Sequence, residues 1–410
     1  MTTTTARPDS EELSRLAQLF LTDFDHRAQP WDFFKMLREE APLVRSTSGT
    51  WLAVRHEDVV EALRHPMLSR ASAAARTSAL PDGEAAELST TRLACIDGAD
   101  HLRLRKIVNR SFSARNVKSW EPQILETTAG LLAPYMEARR MDFLGDVARR
   151  MPLVVLGDLL GVPHEDIPQL MNWLVLLMEH INPEASAEFS TAKHEAMISM
   201  SRYLRELVAN RRASGSTEND LLAALIGAED EGDRLTEKEL IGIMNELLHA
   251  GAESTTNAMT NGLHCILQHP DQRDLLVERP ELANQAFEEV LRFATPALHA
   301  LPRVALEDVE LPNGVIPAGD MVLPIVASAA RDPRVVEDPD VFDITRKPNP
   351  HVAFGSGEHF CLGNLLARTE ASLVFRQLAE GPLATMEIAQ PATWTPHHII
   401  RGLDSLHVKW

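Results

Sequence analysis

The most reactive side chain in an unusual setting is Cys361, near the end of the glycine-rich run Phe354–Gly363. A helical pattern follows over Asn364–Glu380 and stops at a Gly-Pro pair, which predicts Cys361 at the start of a helix. Unpaired backbone N–H groups and the positive end of the helix dipole favour a thiolate there. Gly357 and Gly363 carry no side chain, so a flat, bulky group could approach the backbone closely.

Several roles are open to such a cysteine. Structural zinc normally has four protein ligands, and only His359 lies near Cys361. A cysteine nucleophile needs an orienting His and an Asn or Asp, which one sequence cannot place. A thiolate that is the single axial ligand of a haem iron needs no second protein ligand. A lone cysteine can also be a small buried hydrophobe, so the surrounding pattern must decide.

That pattern, Phe-x-x-Gly-x-x-x-Cys-x-Gly with a histidine two residues before the cysteine, resembles the haem-binding signature of the cytochrome P450 monooxygenases. Other features of the family recur in the expected order along nearly the whole chain. The resemblance implies that Cys361 ligates the iron of haem b, within a loop that contains Phe354, Gly355 and Gly363. It also implies that His359 contacts a haem propionate.

A second unusual stretch lies inside a long predicted helix. A capping box at Thr236 and Glu239 begins a helical pattern that runs to Gln268. At 1.5 Å per residue this helix is roughly 45–50 Å long. Its centre, Ala250–Thr256, contains Gly, Ser and Thr, which are weak helix formers, and such local conflicts tend to mark function. The stretch resembles the family's Ala-Gly-x-(Asp/Glu)-Thr motif, where the helix opens over the haem and side chains relay protons.

The positions of this motif carry over residue by residue. Ala250 borders the haem, Glu253 is the acid, and Ser254 is the hydroxyl, where the family usually has threonine. Serine keeps a hydroxyl but lacks the methyl that fixes the rotamer, which bears on coupling efficiency more than on reaction type. Thr255 is a weaker substitute, because one helical residue is about 100° of rotation. A Ser/Thr-rich helix bend without chemistry is the alternative interpretation.

Further polar residues match family features. His101 and Arg105 are four apart on a predicted helix and resemble the pair that holds haem propionates, as Arg303 does by analogy. Glu289 and Arg292 match the family's Glu-x-x-Arg, which predicts a structural ion pair supporting the haem-binding core.

The substrate pocket is expected to involve Glu246, Gly251, Leu298, His299 and Ile399. Glu246 shares a helix face with positions 250 and 253 and could meet a polar group of the substrate, although a solvated or core-paired Glu246 is equally open. Residues 68–96, with a turn at 81–83, are expected to form a long loop over the pocket.

Composition indicates an ordinary globular protein: 410 residues, 24% charged and 44% hydrophobic. Helical patterns run almost throughout, and no linker or repeat divides the chain. We therefore expect a mainly α fold with small β-sheets (α+β), the cytochrome P450 fold, with a long central helix over the haem. Residues 13–410 are expected to form a single catalytic domain after a disordered tail, 1–12.

The sequence also bounds the location and the partners. No apolar run approaches the roughly 18 residues of a membrane span, and the sparse cysteines (Cys95, Cys265 and Cys361) fit a reducing cytoplasm. We expect a cytoplasmic monomer without membrane contact. The net charge of −19 argues against nucleic-acid binding. A local basic cluster contains Arg103, Lys106, Arg110 and Arg115. It is either the docking surface for an acidic ferredoxin on the Cys361 side or ordinary surface charge.

By resemblance, the expected reaction is the insertion of one oxygen atom from O2 into a C–H or C=C bond of a mostly apolar small molecule. Terpenoids, steroids, polyketides and fatty acids all fit, with electrons from a ferredoxin and its reductase. The alternatives are a peroxide-driven or oxygen-independent enzyme and a haem sensor. Glu253 beside Ser254 argues against the first, and the absence of a visible signalling domain argues against the second.

Overall fold

Helices make up most of the computed structural model, which describes residues 9–77, 92–178, 187–215, 220–227, 229–230, 233–395 and 399–410. A search of these residues finds no helix with the length and apolar character needed to span a bilayer.

The α-helices of the described residues are α1 (Ser10–Thr22), α2 (Phe24–Ala28), α3 (Trp31–Glu40), α4 (His56–Arg64), α5 (Arg70–Thr77), α6 (Gly98–Ser111), α7 (Ala114–Met136), α8 (Arg150–Leu159), α9 (Ile167–Met178), α10 (Ala187–Ser214), α11 (Leu221–Ile226), α12 (Glu237–Gln268), α13 (Pro270–Glu278), α14 (Ala283–Phe293), α15 (Val326–Ala329) and α16 (Asn364–Ala379). Short 3₁₀ turns include Leu93–Cys95 and Gly357–His359, and Leu144–Ala148 is a π-helical turn.

The strands are short: β1 (Leu43–Arg45), β2 (Trp51–Ala53), β3 (Leu68–Ser69), β4 (Arg140–Asp142), β5 (Glu229–Asp230), β6 (Asp233–Arg234), β7 (Arg303–Ala305), β8 (Val309–Leu311), β9 (Gly314–Ile316), β10 (Met321–Pro324), β11 (Glu387–Ile388) and β12 (His407–Lys409). The largest sheet has the order β1-β2-β10-β7-β3, in which only β2 and β10 are parallel. A second sheet has the order β11-β12-β4, and β5-β6 and β8-β9 are hairpins. The expected helical fold with small sheets is confirmed.

Two expectations about irregular segments need correction. The predicted tail is wrong over residues 10–12, because α1 begins at Ser10 with the Asp9 carboxylate accepting from the N–H groups of Glu11 and Glu12. Residues 1–8 lie outside the described residues. The predicted loop at 68–96 contains β3, α5 and a 3₁₀ turn, and its turn at 81–83 lies outside the described residues.

The long helix α12 crosses the centre of the largest hydrophobic core. Its capping box is present: the N–H of Glu239 donates to the Thr236 hydroxyl at 3.3 Å, and the Glu239 carboxylate accepts the N–H of Thr236 at 2.7 Å. Its 32 residues correspond to about 48 Å. Buried side chains occur along most of its length, as expected for a helix enclosed by others.

Two helices beside α12 hold the Cys361 loop. In α14, the Glu289 carboxylate accepts from Nη2 and Nε of Arg292 at 2.7 and 2.8 Å, and both side chains are almost fully buried. Helix α16 begins at Asn364, directly after the loop, and packs Phe375 into the same core as α12 and α14. The loop therefore directly precedes a helix that packs into the same core as α12 and α14.

Candidate functional site

A cavity of about 370 Å³ lies between the middle of α12 and the loop that precedes α16. Ala250, Gly251 and Ser254 of α12 line one side, while Phe354 and Cys361 of the loop line the other. Residues that are 100 or more positions apart in the sequence thus meet in one chamber. The chamber has the volume of a small-molecule site.

The Cys361 loop is held by its own backbone. The N–H of Cys361 donates to the carbonyl oxygen of Phe354 at 2.8 Å. Gly355 and Gly363 line the cavity. Apart from its own stretch of backbone, no atom of the described residues lies within 4 Å of a Cβ position on Gly363, so this glycine leaves room as expected. Gly357 serves another purpose: its φ is +74°, and a Cβ there would lie 3.0 Å from the carbonyl oxygen of Leu63 in α4.

The electrostatic setting of Cys361 combines opposing effects. Burial raises the pKa of the thiol, whereas the hydrogen bond from the N–H of Gly363 and the positive charges of Arg105 and Arg368 lower it. Helix α16 begins at Asn364, three residues after Cys361. A thiolate at Cys361 stays a prediction.

The residues expected at the haem propionates meet at one edge of the cavity, which is lined by His101, Arg105, Arg303 and His359. The rings of His101 and His359 lie 4.3 Å apart, and His359 Nε2 is 3.1 Å from Asp97 Oδ1. Burial lowers the pKa of His101 to about 4 and that of Arg303 to about 10.

Unpartnered polar atoms at this edge fit an anionic group. Neither ring nitrogen of buried His101, nor Nε of Arg303, has a hydrogen-bond partner among the residues that the structure describes. Buried polar atoms normally have partners, because leaving one unsatisfied costs free energy. The carboxylates of a haem would supply acceptors here, so this edge fits the predicted cofactor.

The centre of α12 stays helical through Ala250–Thr256. The Ser254 hydroxyl donates to the carbonyl oxygen of Ala250 at 2.7 Å, and both residues line the cavity. Gly251 allows close helix packing, because a Cβ on it would lie 2.8 Å from Leu156 Cδ1 of α8. The mid-helix glycine thus has a packing reason besides its place at the cavity.

The other polar residues of this segment divide between cavity and core. Buried Thr255 also lines the cavity, whereas Thr256, which the sequence reasoning did not select, donates to the carbonyl oxygen of Ala148 at 3.0 Å. Glu253 does not line the cavity. It lies near His249, whose pKa falls to about 4 because of burial and the charges of Arg92 and Lys193, with Glu253 opposing.

Four of the five expected substrate-pocket residues line the cavity: Glu246, Gly251, His299 and Ile399. Leu298 is a correction. It is fully buried in the core that contains Phe34 and Leu52, and its N–H donates to the carbonyl oxygen of Ile399 at 3.0 Å. The other residues from 295 to 301 all line the cavity, so within this segment only Leu298 packs into the core instead.

Glu246 is engaged with the protein itself. Its two carboxylate oxygens accept the N–H groups of Leu93 and Ala94 at 2.6 and 3.0 Å. The expectation of a substrate contact competes with these bonds, and the alternative of a paired Glu246 describes the structure better. The contact fixes the 3₁₀ turn Leu93–Cys95 against α12.

The sequence reasoning missed Glu370. This residue of α16 lines the cavity, is 2% exposed, and has one carboxylate oxygen without a partner among the described residues. Burial raises its pKa to about 8. An acid between the buried positions Leu366 and Val374 of a helix was the available signal.

The predicted basic cluster lies on α6 and at the start of α7. Arg103 forms an ion pair with Glu239 at the start of α12. Lys106, Arg110 and Arg115 are exposed on α6 and α7. Helix α6 lies beside the Cys361 loop, because the Arg105 guanidinium donates to the carbonyl oxygen of Phe360.

Comparisons with known proteins agree with this geometry. Residues 21–379 match the family model for Cytochrome P450. One relative is the cytochrome P450 monooxygenase PikC of Streptomyces venezuelae, which is 37% identical over 99% of this chain and 96% of its own length. A vitamin D(3) 25-hydroxylase of Pseudonocardia autotrophica is 36% identical over 92% of this chain and 93% of its own. The crystal structure of CalO2 matches with a TM-score of 0.88 and 31% identity, covering 95% of this chain and 98% of that one.

Proposed function

Since this chain belongs to the cytochrome P450 family of haem b monooxygenases, we propose that it inserts one oxygen atom from O2 into a C–H or C=C bond of a mostly apolar small molecule. The observation that carries this proposal is Cys361 facing, across one cavity, the hydroxyl of Ser254. An anion-binding edge with His101 and Arg303 borders the same cavity.

Each part of the cavity has a defined task in this proposal. Cys361 would hold the iron, and His101, Arg105, Arg303 and His359 would hold the propionates. Haem b, when bound, supplies the activation of dioxygen and the oxygen transfer. The Ser254 hydroxyl places its own hydrogen on the carbonyl oxygen of Ala250, so its lone pairs can accept a hydrogen bond from a proton donor in the cavity. Glu253, the preceding residue, would exchange protons with the outside.

The substrate class follows from the cavity walls. Most of the wall between α12 and the segment at 295–301 is aliphatic, as at Leu93, Ile243, Leu247, Ala297 and Ile399. The transfer of an apolar molecule from water to such a wall lowers the free energy, so binding is favoured. A steroid, terpenoid, polyketide or fatty acid fits, and the relative named as a vitamin D(3) 25-hydroxylase supports this class.

We infer that the electron donor is an acidic ferredoxin, bound where Lys106, Arg110 and Arg115 are exposed beside the Cys361 loop. Opposite charge would speed the encounter of the two proteins. We also infer a monomer with a single catalytic domain. Its three free cysteines support a reducing, cytoplasmic location.

The test begins with the reduced carbon monoxide complex. A strongly red-shifted Soret band is expected for the natural sequence and for Cys95→Ser, and its loss is expected for Cys361→Ser. Apolar compounds that shift the haem spin state are then incubated with NAD(P)H, ferredoxin reductase and ferredoxin under isotope-labelled O2. One labelled oxygen atom per product molecule supports the proposal. Product that forms only with added peroxide would instead establish the peroxide-driven alternative.

A further inference from the structure

An ion pair joins helix α14 to helix α16 on the outer side of the Cys361 loop. Arg368 Nε lies 2.6 Å from Glu288 Oε1, and its Nη2 lies 3.2 Å from Glu288 Oε2, so both carboxylate oxygens are engaged. His351, in the segment that leads to the loop, places Nε2 at 2.9 Å from Glu288 Oε2. Glu288 therefore anchors both sides of the loop.

Arg368 contacts the loop twice. Its guanidinium lies 4.3 Å from the ring centroid of Phe354, a cation–π distance. Its Nη1 donates to Asn364 Oδ1 at 2.7 Å, and Asn364 Nδ2 in turn donates to the carbonyl oxygen of Cys361 at 2.8 Å. Arg368 is thus connected to Cys361, the expected iron ligand, through Phe354 and through Asn364, each of which is hydrogen-bonded to the backbone of Cys361.

The two charges are held in place and only partly screened. The side chains of Arg368 and Glu288 are 25% and 23% exposed. Burial acts to raise the pKa of Glu288, but the hydrogen bonds from His351 and Arg368 outweigh it and hold the pKa at about 2. Glu288 is consequently ionised at any working pH.

We propose that Arg368 is a positioning residue for Cys361 and that its positive charge, partly offset by Glu288, raises the reduction potential of the iron bound there. A fixed positive charge near the site favours the reduced iron, which carries one positive charge fewer. Groups behind a metal ligand commonly tune a metal in this way. The proposal rests on the haem-thiolate assignment above.

The test is a potentiometric titration of the haem-loaded protein. One electron from dithionite, passed through mediator dyes, converts ferric to ferrous iron, and the visible spectrum reports the ratio. Arg368→Gln should lower the reduction potential, and Glu288→Gln should raise it. At a fixed applied potential, each variant should change the ferrous-to-ferric ratio several-fold. A tenfold change in this ratio is about 59 mV. Arg368→Lys, which keeps the charge but loses the planar contacts, should recover most of the shift.

The opposite signs separate charge tuning from simple loosening of the loop. Loosening would move both variants in the same direction. Arg376→Gln is the matched control, because Arg376 lies on the same helix, is 56% exposed, and pairs with Glu380 at 2.8 Å; it should not shift the potential. Shifts of equal sign, or none, in the Glu288 and Arg368 variants would overturn the proposal. If Arg368→Gln does not retain haem, Glu288→Gln and Arg368→Lys still decide the sign. The natural sequence lacking the thiolate-type carbon monoxide band would instead refute the haem-thiolate assignment itself.

Discussion

The crossing of α12 and α16 predicts both the sign and the size of a change in stability when a methyl group is added to Gly262. Gly262 of α12 lies against α16, where a Cβ would come 2.5 Å from Phe375 Cζ and 3.1 Å from Val290 Cγ1. Phe375 is 1% exposed and packs edge-on to Phe287, with ring centroids 6.2 Å apart. Because the ring is enclosed, it cannot move aside for a methyl group without displacing its neighbours.

The substitution Gly262→Ala therefore combines two opposing terms. Alanine is favoured over glycine within a helix by up to about 1 kcal/mol. Forcing a methyl group into a filled core costs about 1–3 kcal/mol. With the full helix preference subtracted, the expected net result is a loss of up to about 2 kcal/mol in the free energy of unfolding. Gly130→Ala is the control: Gly130 is exposed within α7, and beyond the adjacent helix backbone no atom in the described part of the chain lies within 4 Å of its Cβ position. The free energy of unfolding of Gly130→Ala should increase by up to about 1 kcal/mol.

Urea unfolding of the haem-loaded proteins, followed by helical circular dichroism, measures both changes. The unfolding midpoint should fall for Gly262→Ala and rise for Gly130→Ala. A midpoint for Gly262→Ala at or above that of the natural sequence would refute the reasoning from Phe375. Adding Phe375→Leu to Gly262→Ala should recover part of the loss, with a coupling of about 0.5–3 kcal/mol in a double-mutant cycle.

Three further predictions concern acids and the hydroxyl at the cavity. The pKa of Glu370 is raised from an ordinary 4.5 to about 8, so the protonated acid is compatible with the fold and its stabilising effect is lost as pH rises from 4.5 through 8. Over that range the urea midpoint of Glu370→Gln should increasingly exceed that of the natural sequence. Parallel pH profiles of the two proteins would contradict this. Glu246→Gln should speed amide hydrogen exchange at Leu93 and Ala94 by about 10- to 100-fold, because each N–H loses a hydrogen bond to a charged acceptor worth about 1.5–3 kcal/mol. Unchanged exchange at these two residues would show that other contacts hold the turn. Ser254→Ala should lower the product formed per NAD(P)H several-fold while Ser254→Thr does not, and equal yields from both would exclude a role for the hydroxyl.

The parts of the site that the sequence predicted depend on short spacings. The capping box needs Thr236 and Glu239 to be three apart, and the buried ion pair needs the same spacing of Glu289 and Arg292. Helix geometry alone then brings each pair together. The Cys361 loop could be predicted because its specificity lies within ten residues.

The features that the sequence could not predict depend on contacts between distant residues. The ion pair of Arg103 needs Glu239, which lies 136 positions later in the chain. The packing role of Gly251 depends on Leu156 of α8, which lies against it. At Cys361 the helix start favours a thiolate, whereas burial, which depends on the tertiary structure, favours the thiol. A local sequence pattern cannot predict these interactions, because each one involves a residue from another element.

The same limit applies to the acids near the cavity, which have equal chemistry and different surroundings. Glu246 uses its carboxylate oxygens to accept hydrogen bonds from two backbone N–H groups. Glu370 is buried, has no charge partner among the described residues, and stays protonated at neutral pH. Neither arrangement suits repeated proton exchange, because the first would give up two hydrogen bonds and the second would ionise in an apolar wall. Glu253, beside Ser254, thus stays the predicted proton-relay acid. Its support now includes the different tasks of the other two, besides its position in the motif.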